Sequence, residues 1–264
     1  MSERLRALVL GDIFGQPGCR ALYVGLKPLV KKYDADLVIV NGENAADGYG
    51  ITPEITSQLF AGGVDVITTG NHIWQKREII PVLNGNDRLL RPANYPHCKF
   101  GKGHTVIEVK GRKVAVVNLQ GRLHLPDIDC PFTVGRDLVR RLRDSTRIII
   151  VDFHAEAPEE KEALAFYLDG LVSLVVGTHT HVQTADERIL AGGTAYITDI
   201  GMSGPTGSVI GVDSETAVRR SVTQMPLKMA PAESPAAIHG VFVEIDAESG
   251  KALSITRVRE QSRV

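Results

Sequence analysis

The chain has 264 residues, of which 43% are hydrophobic, and its formal net charge is -1. This hydrophobic content excludes a disordered chain, and the near-neutral charge argues against a protein that coats nucleic acid or an anionic membrane by bulk charge. The length suits one large α/β domain or two small ones, and because nothing in the sequence forces a split we expect residues 1–264 to form a single domain.

The cysteines and the N-terminus bear on the compartment. Cys19, Cys98 and Cys130 form no C-x-x-C pair. An odd, sparse set of this kind does not build a disulfide framework or a thiolate metal site, so we expect a reducing compartment. The N-terminal residues lead straight into a strand-like run without the layout of a signal peptide, and no apolar stretch reaches membrane-spanning length. We therefore expect a cytoplasmic protein without a membrane partner, for which a homo-oligomer is compatible with the sequence.

Short apolar runs alternate with helix-like segments along much of the chain. Continuous β-branched runs are typical of strands buried on both faces, and they lie at residues 5–10, 37–40, 64–68, 147–151 and 171–176. Helices are predicted between them, over residues 20–32, 52–59, 133–143 and 158–168. Alternation of strands and helices predicts an α/β fold.

Two regions depart from this alternation and predict antiparallel pairs. Residues 104–109 and 113–119 flank a Lys-Gly-Arg turn, and residues 240–245 and 252–258 flank a turn that ends in glycine. Antiparallel hairpins beside parallel units indicate mixed sheets, so we expect two packed sheets with helices outside. Residues 203–234 are rich in Gly, Pro and Ser, and we expect long surface loops there.

Polar residues that can bind a metal or carry a proton follow the ends of the predicted strands. They are Asp12, Glu43, Asn44, Asn71, His72, His154, His179 and His181. In α/β sheets, the loops at the carboxyl ends of strands build the ligand site. In an extended segment His179 and His181 point the same way, so both imidazoles can face one site. Each residue alone has a structural explanation as a turn, cap or hydrogen-bonded side chain, but their joint placement favours a shared metal site.

Several of these residues lie in recognisable motifs. The segments Gly-Asn-His at 70–72 and Gly-Thr-His-Thr-His at 177–181, with Asp12 and His154, resemble the calcineurin-like metallophosphoesterases. The usual first motif of that family is Asp-x-His, and here Phe14 stands in place of the histidine. Glu43 stands in place of the bridging aspartate of the second motif. These departures, together with segments 11–18 and 199–205, resemble the YmdB-like branch of the family.

The resemblance implies a four-layer sandwich of two mixed β-sheets flanked by helices. It also implies two divalent or mixed-valence metal ions, most often iron or manganese, with zinc as an alternative that the same donors suit. Carried over by position, one ion takes Asp12, Glu43, Asn44 and His181. The other takes Glu43, Asn71, His154 and His179, and His72 becomes the proton donor.

The implied activity is hydrolysis of cyclic nucleotides, 2′,3′ or 3′,5′, or of related small-molecule phosphodiesters. Two divalent ions opposed only by the carboxylates of Asp12 and Glu43 leave about two positive charges to attract a phosphate. Paired ions of this kind activate water and hold the phosphoryl oxygens. RNA remains a conceivable substrate that the bulk charge does not indicate. The alternatives are a phosphomonoesterase acting on a small metabolite or phosphoprotein, and a non-catalytic regulatory protein stabilised by metal.

Overall fold

The computed structural model of the chain describes residues 3–96 and 99–262. Its strands are β1 (Arg4–Leu10), β2 (Asp12–Ile13), β3 (Leu37–Asn41), β4 (Val66–Thr68), β5 (His104–Val109), β6 (Arg112–Gln120), β7 (Ile148–His154), β8 (Leu174–Thr178), β9 (Arg188–Ile189), β10 (Ala195–Ile197), β11 (Met202–Pro205), β12 (Ala236–Asp246) and β13 (Ala252–Gln261). The helices are α1 (Gly15–Tyr33), α2 (Pro53–Gly62), α3 (Ile80–Gly85), α4 (Pro131–Leu142), α5 (Pro158–Leu168) and α6 (Ser214–Thr223), and a 3₁₀ turn spans Arg77–Ile79.

The strands form two mixed sheets. In the first, the order is β2-β11-β12-β1-β3-β4, and β13 also pairs with β12. There β1, β3 and β4 run parallel, while β12 is antiparallel to β1, β11 and β13. In the second, the order is β5-β6-β7-β8-β10-β9, with a parallel centre and an antiparallel strand at each edge. Both predicted hairpins are confirmed, as β5–β6 and β12–β13.

Alternation along the strands divides the core into layers. Val9 and Ile39 of the first sheet pack against Val116 and Ile150 of the second. The neighbouring position Leu8 points the opposite way, into a core shared with helix α1. On the far side, α4 and α5 cover the second sheet through a third buried cluster. The order helix, sheet, sheet, helix confirms the predicted four-layer sandwich.

Local sequence signals explain where several helices begin and end. Thr52 caps α2 because its hydroxyl accepts a hydrogen bond from the backbone N–H of Ile55, and Pro53 occupies the first helical position. The helix extends to Gly62, three residues beyond the predicted end at residue 59, and its C-cap Gly63 has a φ of 107° in the left-handed region. Helix α1 begins at Gly15, five residues before the predicted start, and includes Pro28.

The prediction of long surface loops over residues 203–234 is wrong in part. Strand β11 pairs with β12 and β2, so its backbone is satisfied by the first sheet. Helix α6 is capped by Asp213, whose carboxylate accepts the N–H of Thr216. Its Ala217 packs into a small cluster that includes Phe14. The glycine and proline content of this segment indicates its turns. It gives no sign of strand β11 or helix α6, which contacts with the rest of the fold stabilise.

The sequence analysis linked two features to the compartment, namely the cysteines and the lack of a membrane-spanning stretch. Cys19 and Cys130 are free thiols, and Cys98 lies outside the described residues. Within residues 3–96 and 99–262, none of the helices combines the length and apolar character needed to cross a membrane.

A buried ion pair joins helix α5 to the loops that follow β8 and β10. Lys161 Nζ lies 2.7 Å from Asp199 Oδ2, and both side chains are almost fully buried. Asp199 also accepts hydrogen bonds from the backbone N–H and the hydroxyl of Thr180, and from the N–H of Gly201. Because Thr180 separates His179 from His181, this pair holds the segment that carries both histidines.

Lys161→Ala should destabilise the protein strongly, because it leaves the carboxylate of Asp199 buried without its cation. Removing one partner of a buried pair typically costs about 3–5 kcal/mol. The matched control is Lys102→Ala, since Lys102 and its partner Asp87 are both more than half exposed, and an exposed pair contributes less than about 1 kcal/mol. Urea unfolding measures both variants, and equal losses would contradict the structural role of the buried pair.

Candidate metal centre

Strand ends from both sheets converge at one end of the sandwich. Asp12 begins β2, while Glu43 and Asn44 follow β3, and Asn71 and His72 follow β4. From the second sheet, His154 is the last residue of β7, and His179 and His181 follow β8. All eight predicted residues are therefore brought together, because parallel neighbouring strands place their carboxyl ends side by side.

Three atoms that could bind a metal lie close to the Nε2 atom of His154. Asn71 Oδ1 lies 3.1 Å from it, Glu43 Oε2 lies 3.1 Å from it, and His179 Nδ1 lies 3.0 Å from it. Glu43, His154 and His179 offer ligand atoms that all lie within 4.8 Å of one another. The side chains of Glu43 and His154 are completely buried. This arrangement matches the donor set that the resemblance implies for one of the two ions.

A second set of donors surrounds the Nε2 atom of His181. Asp12 Oδ2 lies 3.5 Å from that atom, and Asn44 Nδ2 donates to it at 3.1 Å, while the amide oxygen of Asn44, the atom able to bind a metal, faces His72. Asn44 Nδ2 also donates to Glu43 Oε1 at 3.0 Å. The two carboxylate oxygens of Glu43 thus face the two donor sets separately, as a bridging ligand would require.

His72 occupies the rim of these two sets. Its Nδ1 atom lies 2.7 Å from Asn44 Oδ1 and 3.2 Å from Glu43 Oε1. Asn71, the preceding residue, faces His154 instead. Adjacent residues of the turn therefore point to different neighbours, and His72 keeps 23% of its side chain exposed towards solvent.

Hydrogen bonds fix which nitrogen of each buried histidine is free. Thr178 Oγ1 donates to Asp152 Oδ1 at 2.7 Å, so it accepts from His154 Nδ1 at 2.9 Å. His181 donates from Nδ1 to the carbonyl oxygen of Ile210 at 2.8 Å. In both rings Nε2 is then left without a proton in the neutral state, available as a ligand.

His179 is oriented by a residue that sequence reasoning missed. The carboxylate oxygen Oε2 of Glu156 lies 3.0 Å from His179 Nε2, so that Nδ1 is the nitrogen that faces His154. A carboxylate behind a metal-binding imidazole is a common supporting contact. No local pattern in the sequence pairs the two residues, because Glu156 lies in a bend after β7 and His179 lies in the loop after β8.

The backbone at this site is strained. His179 has a φ of 100°, His181 a φ of 66° and Ile210 a φ of 47°. A β-branched residue in the left-handed region is a genuine outlier, and such residues persist where surrounding contacts determine them. The Lys161–Asp199 pair and the Ile210–His181 hydrogen bond supply those contacts.

Two observations test whether these residues fit metal ions. The Oδ1 atom of Asp12 is buried and has no hydrogen-bond partner among the described residues, although buried polar atoms are normally paired. Only glycine fits at position 70, because a Cβ atom there would lie 2.2 Å from His154 Cδ2 and 2.3 Å from Glu43 Oε2. The oxygen and imidazole donors therefore enclose a crowded polar centre whose donor set fits iron, manganese or zinc.

The pKa values of the buried carboxyl and imidazole groups depend on burial and on the neighbouring charges. Burial raises the pKa of Asp12 well above its ordinary value. Burial acts in the same direction on Glu43, but His154 outweighs it and holds the pKa of that carboxyl well below its usual range. Burial acts to lower the pKa of His154, yet Glu43 and Asp12 raise it to about 9. Without ions, a proton therefore balances the cluster, and metal binding would displace it.

A cavity of about 310 Å³ opens above the two donor sets. Its polar wall carries His72 and His181, and its apolar wall carries Phe14 and Ile210. Arg220 of helix α6 also lines it, contributed by the segment that the sequence had assigned to loops. The mixture of apolar walls and a few convergent polar groups is typical of a small-molecule site.

Glu43→Ala should abolish binding of both ions, because Glu43 is the side chain whose two oxygens face both donor sets. Asp12→Ala should mainly weaken the ion nearest His181. Metal analysis of protein purified with iron or manganese in the medium measures the stoichiometry. Glu54→Ala, at an exposed position of α2, serves as the matched control, and two ions retained in Glu43→Ala would contradict a bridging role.

Comparison with known proteins places the chain among close relatives. It is 46% identical over 254 residues to the 2′,3′-cyclic-nucleotide 2′-phosphodiesterase of Bacillus subtilis, covering 96% of each chain. A crystal structure described as a novel phosphatase from Mycoplasma pneumoniae matches with a TM-score of 0.93 at 36% identity, covering 99% of this chain and 95% of that one. A hypothetical protein from Thermus thermophilus matches with a TM-score of 0.91 at 38% identity, covering 98% and 100%.

The family assignment follows from the length and strength of these matches. The family profile described as YmdB-like protein matches residues 8–258, which is nearly the whole chain. That span includes all eight residues of the converging site. The resemblance noted from the motifs is thus confirmed, and the chain belongs to the YmdB-like family.

Proposed function

We propose that this protein is a metal-dependent phosphodiesterase that hydrolyses cyclic nucleotides, with 2′,3′-cyclic phosphates as the preferred substrates. The observation that carries the proposal is the placement of two donor sets on either side of one carboxylate, Glu43, with His72 beside them. The preference for the 2′,3′ isomer rests on the name of the Bacillus subtilis relative.

Seven residues would hold the two ions. They are Asp12, Glu43, Asn44, Asn71, His154, His179 and His181. When bound, the ions supply Lewis acidity to the phosphate and lower the pKa of water. We infer iron or manganese, as the family resemblance implies, with zinc as the alternative that the same oxygen and imidazole donors suit.

The protein's own groups bind and orient the phosphate ester. The two carboxylates of Asp12 and Glu43 do not neutralise two divalent ions, so the centre attracts an anion. Phe14 and Ile210 line one wall of the cavity and exclude water from that side. Arg220 lies across the same cavity, where its guanidinium can pair with an anionic oxygen of the substrate.

His72 is the residue we infer to move a proton. Its Nδ1 atom faces Asn44 and Glu43, which leaves Nε2 as the other nitrogen able to carry a proton. An imidazolium held in this way can donate to the ribose oxygen that leaves phosphorus. Because Glu43 and Asn44 fix the ring, they also position His72 for this transfer.

The setting of the enzyme is part of the proposal. The free thiols of Cys19 and Cys130 fit a reducing compartment such as the cytoplasm. We further infer that residues 1–264 work as one domain, since ligands of the centre come from both sheets. The alternatives of a phosphomonoesterase and of a non-catalytic metal protein are outcomes of the assay below.

A substrate panel tests the proposed activity. Metal-loaded protein should hydrolyse 2′,3′-cyclic nucleotides with a higher kcat/KM than 3′,5′-cyclic nucleotides, and both faster than matched nucleoside monophosphates. A reversed order of diester and monoester would identify a phosphomonoesterase. Absence of turnover with full metal occupancy would favour the non-catalytic alternative.

His72→Ala should keep both metals and the fold but lose roughly 10²–10⁴-fold in rate, the usual contribution of general acid catalysis. The loss should shrink for a nitrophenyl diester, because a nitrophenolate leaves without needing a proton. The control is His124→Ala, at an exposed histidine outside the cavity. An equal loss for good and poor leaving groups would remove His72 from the donor role, and lost metal would make it a ligand.

A further inference from the structure

The cavity above the two donor sets, which we call the catalytic cavity, continues into a second cavity on the side of Tyr49. The second cavity has a volume of about 650 Å³ and shares four lining residues with the first, namely Asp47, Tyr49, Arg220 and Met229. The catalytic cavity itself, at about 310 Å³, lies at the lower end of the range for ligand sites, which suits a single nucleotide. A longer ligand must therefore leave it, and the shared wall provides a route.

The second cavity carries an excess of positive charge. Lys76, Arg220 and Lys228 line it, and we call it the cationic groove. Asp47 is the one carboxylate among its described lining residues, so three cations against one anion leave about two positive charges. None of the three cations forms an ion pair within residues 3–96 and 99–262. Unpaired cations around a cavity fit an anionic ligand.

Tyr49 stands where the catalytic cavity meets the cationic groove. Its side chain is 45% exposed although it is a large aromatic residue. Its ring contacts His72 edge-on, with 5.0 Å between the ring centroids. An exposed aromatic ring beside cations is the combination that binds single-stranded nucleic acid, through base stacking and phosphate pairing.

We propose that the cationic groove binds single-stranded RNA whose 3′-terminal nucleotide carries the 2′,3′-cyclic phosphate hydrolysed at the metal centre. This inference rests on the proposed phosphodiesterase function. A 2′,3′-cyclic phosphate leaves the 5′ oxygen of its ribose free to continue the chain, whereas a 3′,5′-cyclic phosphate does not. The terminal nucleotide occupies the catalytic cavity, and the preceding phosphates lie along Lys76, Arg220 and Lys228.

The reaction on such a strand is the same hydrolysis. Water adds its oxygen to phosphorus, one of the two ring ester bonds breaks, and the released ribose oxygen takes a proton. The product is an RNA strand that ends in a phosphomonoester. No oxidant or further reactant is needed.

A different exit from the catalytic cavity is less suited to a polyanion. A cavity of about 720 Å³ on the side of His181 is lined by Arg257 and Arg259. Arg257 Nε is paired with Glu187 Oε1 at 2.8 Å, so only about one positive charge remains there. The cationic groove therefore offers the stronger attraction for successive phosphates.

The test compares three substrates that share a terminal 2′,3′-cyclic phosphate. They are a nucleoside, the same nucleoside with a 5′-phosphate, and a tetraribonucleotide. We expect kcat/KM for the tetranucleotide to exceed that for the nucleoside by roughly tenfold or more at low salt. Each phosphate contact contributes a slope of about 0.7 in log–log salt dependence, so three contacts should reduce this preference by roughly tenfold to twentyfold between about 50 and 200 mM salt.

Charge-matched variants locate the effect. The double variant Lys76→Gln with Lys228→Gln should lower kcat/KM for the tetranucleotide more than for the nucleoside. The double variant Lys27→Gln with Lys31→Gln removes the same charge from exposed positions of α1 and should retain the preference. Arg259→Gln tests the other exit, and loss of the preference in that variant alone would overturn the assignment to the cationic groove.

The outcomes separate this inference from the proposed function. Equal kcat/KM for the nucleoside and the tetranucleotide would overturn RNA binding while leaving the phosphodiesterase intact. A gain on adding the 5′-phosphate with no further gain for the tetranucleotide would also overturn it, because the groove would then hold a single extra phosphate. Failure to hydrolyse any of the three would contradict both proposals.

Discussion

Complete burial of two carboxylates at the end of a β-sandwich is the constraint on which the rest of this structure depends. Asp12 and Glu43 are both fully buried, and an isolated buried charge is very costly unless it is paired. The histidines, the amides and the ions we infer supply that compensation. The polar groups around Asp12 and Glu43 therefore stabilise the fold as well as forming the candidate site.

The sandwich supplies this compensation from two separate sheets. Glu43 comes from the first sheet and His154 from the second, yet Glu43 Oε2 and His154 Nε2 are 3.1 Å apart. Close contact of this kind requires the two sheets to keep a fixed separation, which the apolar core between them sets. Strained backbone at His179 and His181 then aims the remaining imidazoles, and the buried pair of Lys161 and Asp199 holds that strain in place.

The segment after β11 surrounds the candidate metal centre. Ile210 bonds to His181 through its carbonyl oxygen, and Arg220 of α6 lines the catalytic cavity. The neutral bulk charge of the chain concealed a local excess of cations, because Lys76 is far in sequence from Arg220 and Lys228. A protein with almost no net charge can thus present a groove that is suited to a polyanion.

By itself, the sequence determined the strand–helix alternation, both hairpins and the eight residues that converge at one end of the sandwich. These features are local, because buried strands read as apolar runs and the candidate ligand residues follow the strand ends directly. Only the tertiary structure decided that Glu156 supports His179, that Ile210 fixes the tautomer of His181, and that residues 214–223 form a helix above the site. Their positions depend on contacts between segments far apart in the chain, and no periodicity within a short window encodes such contacts.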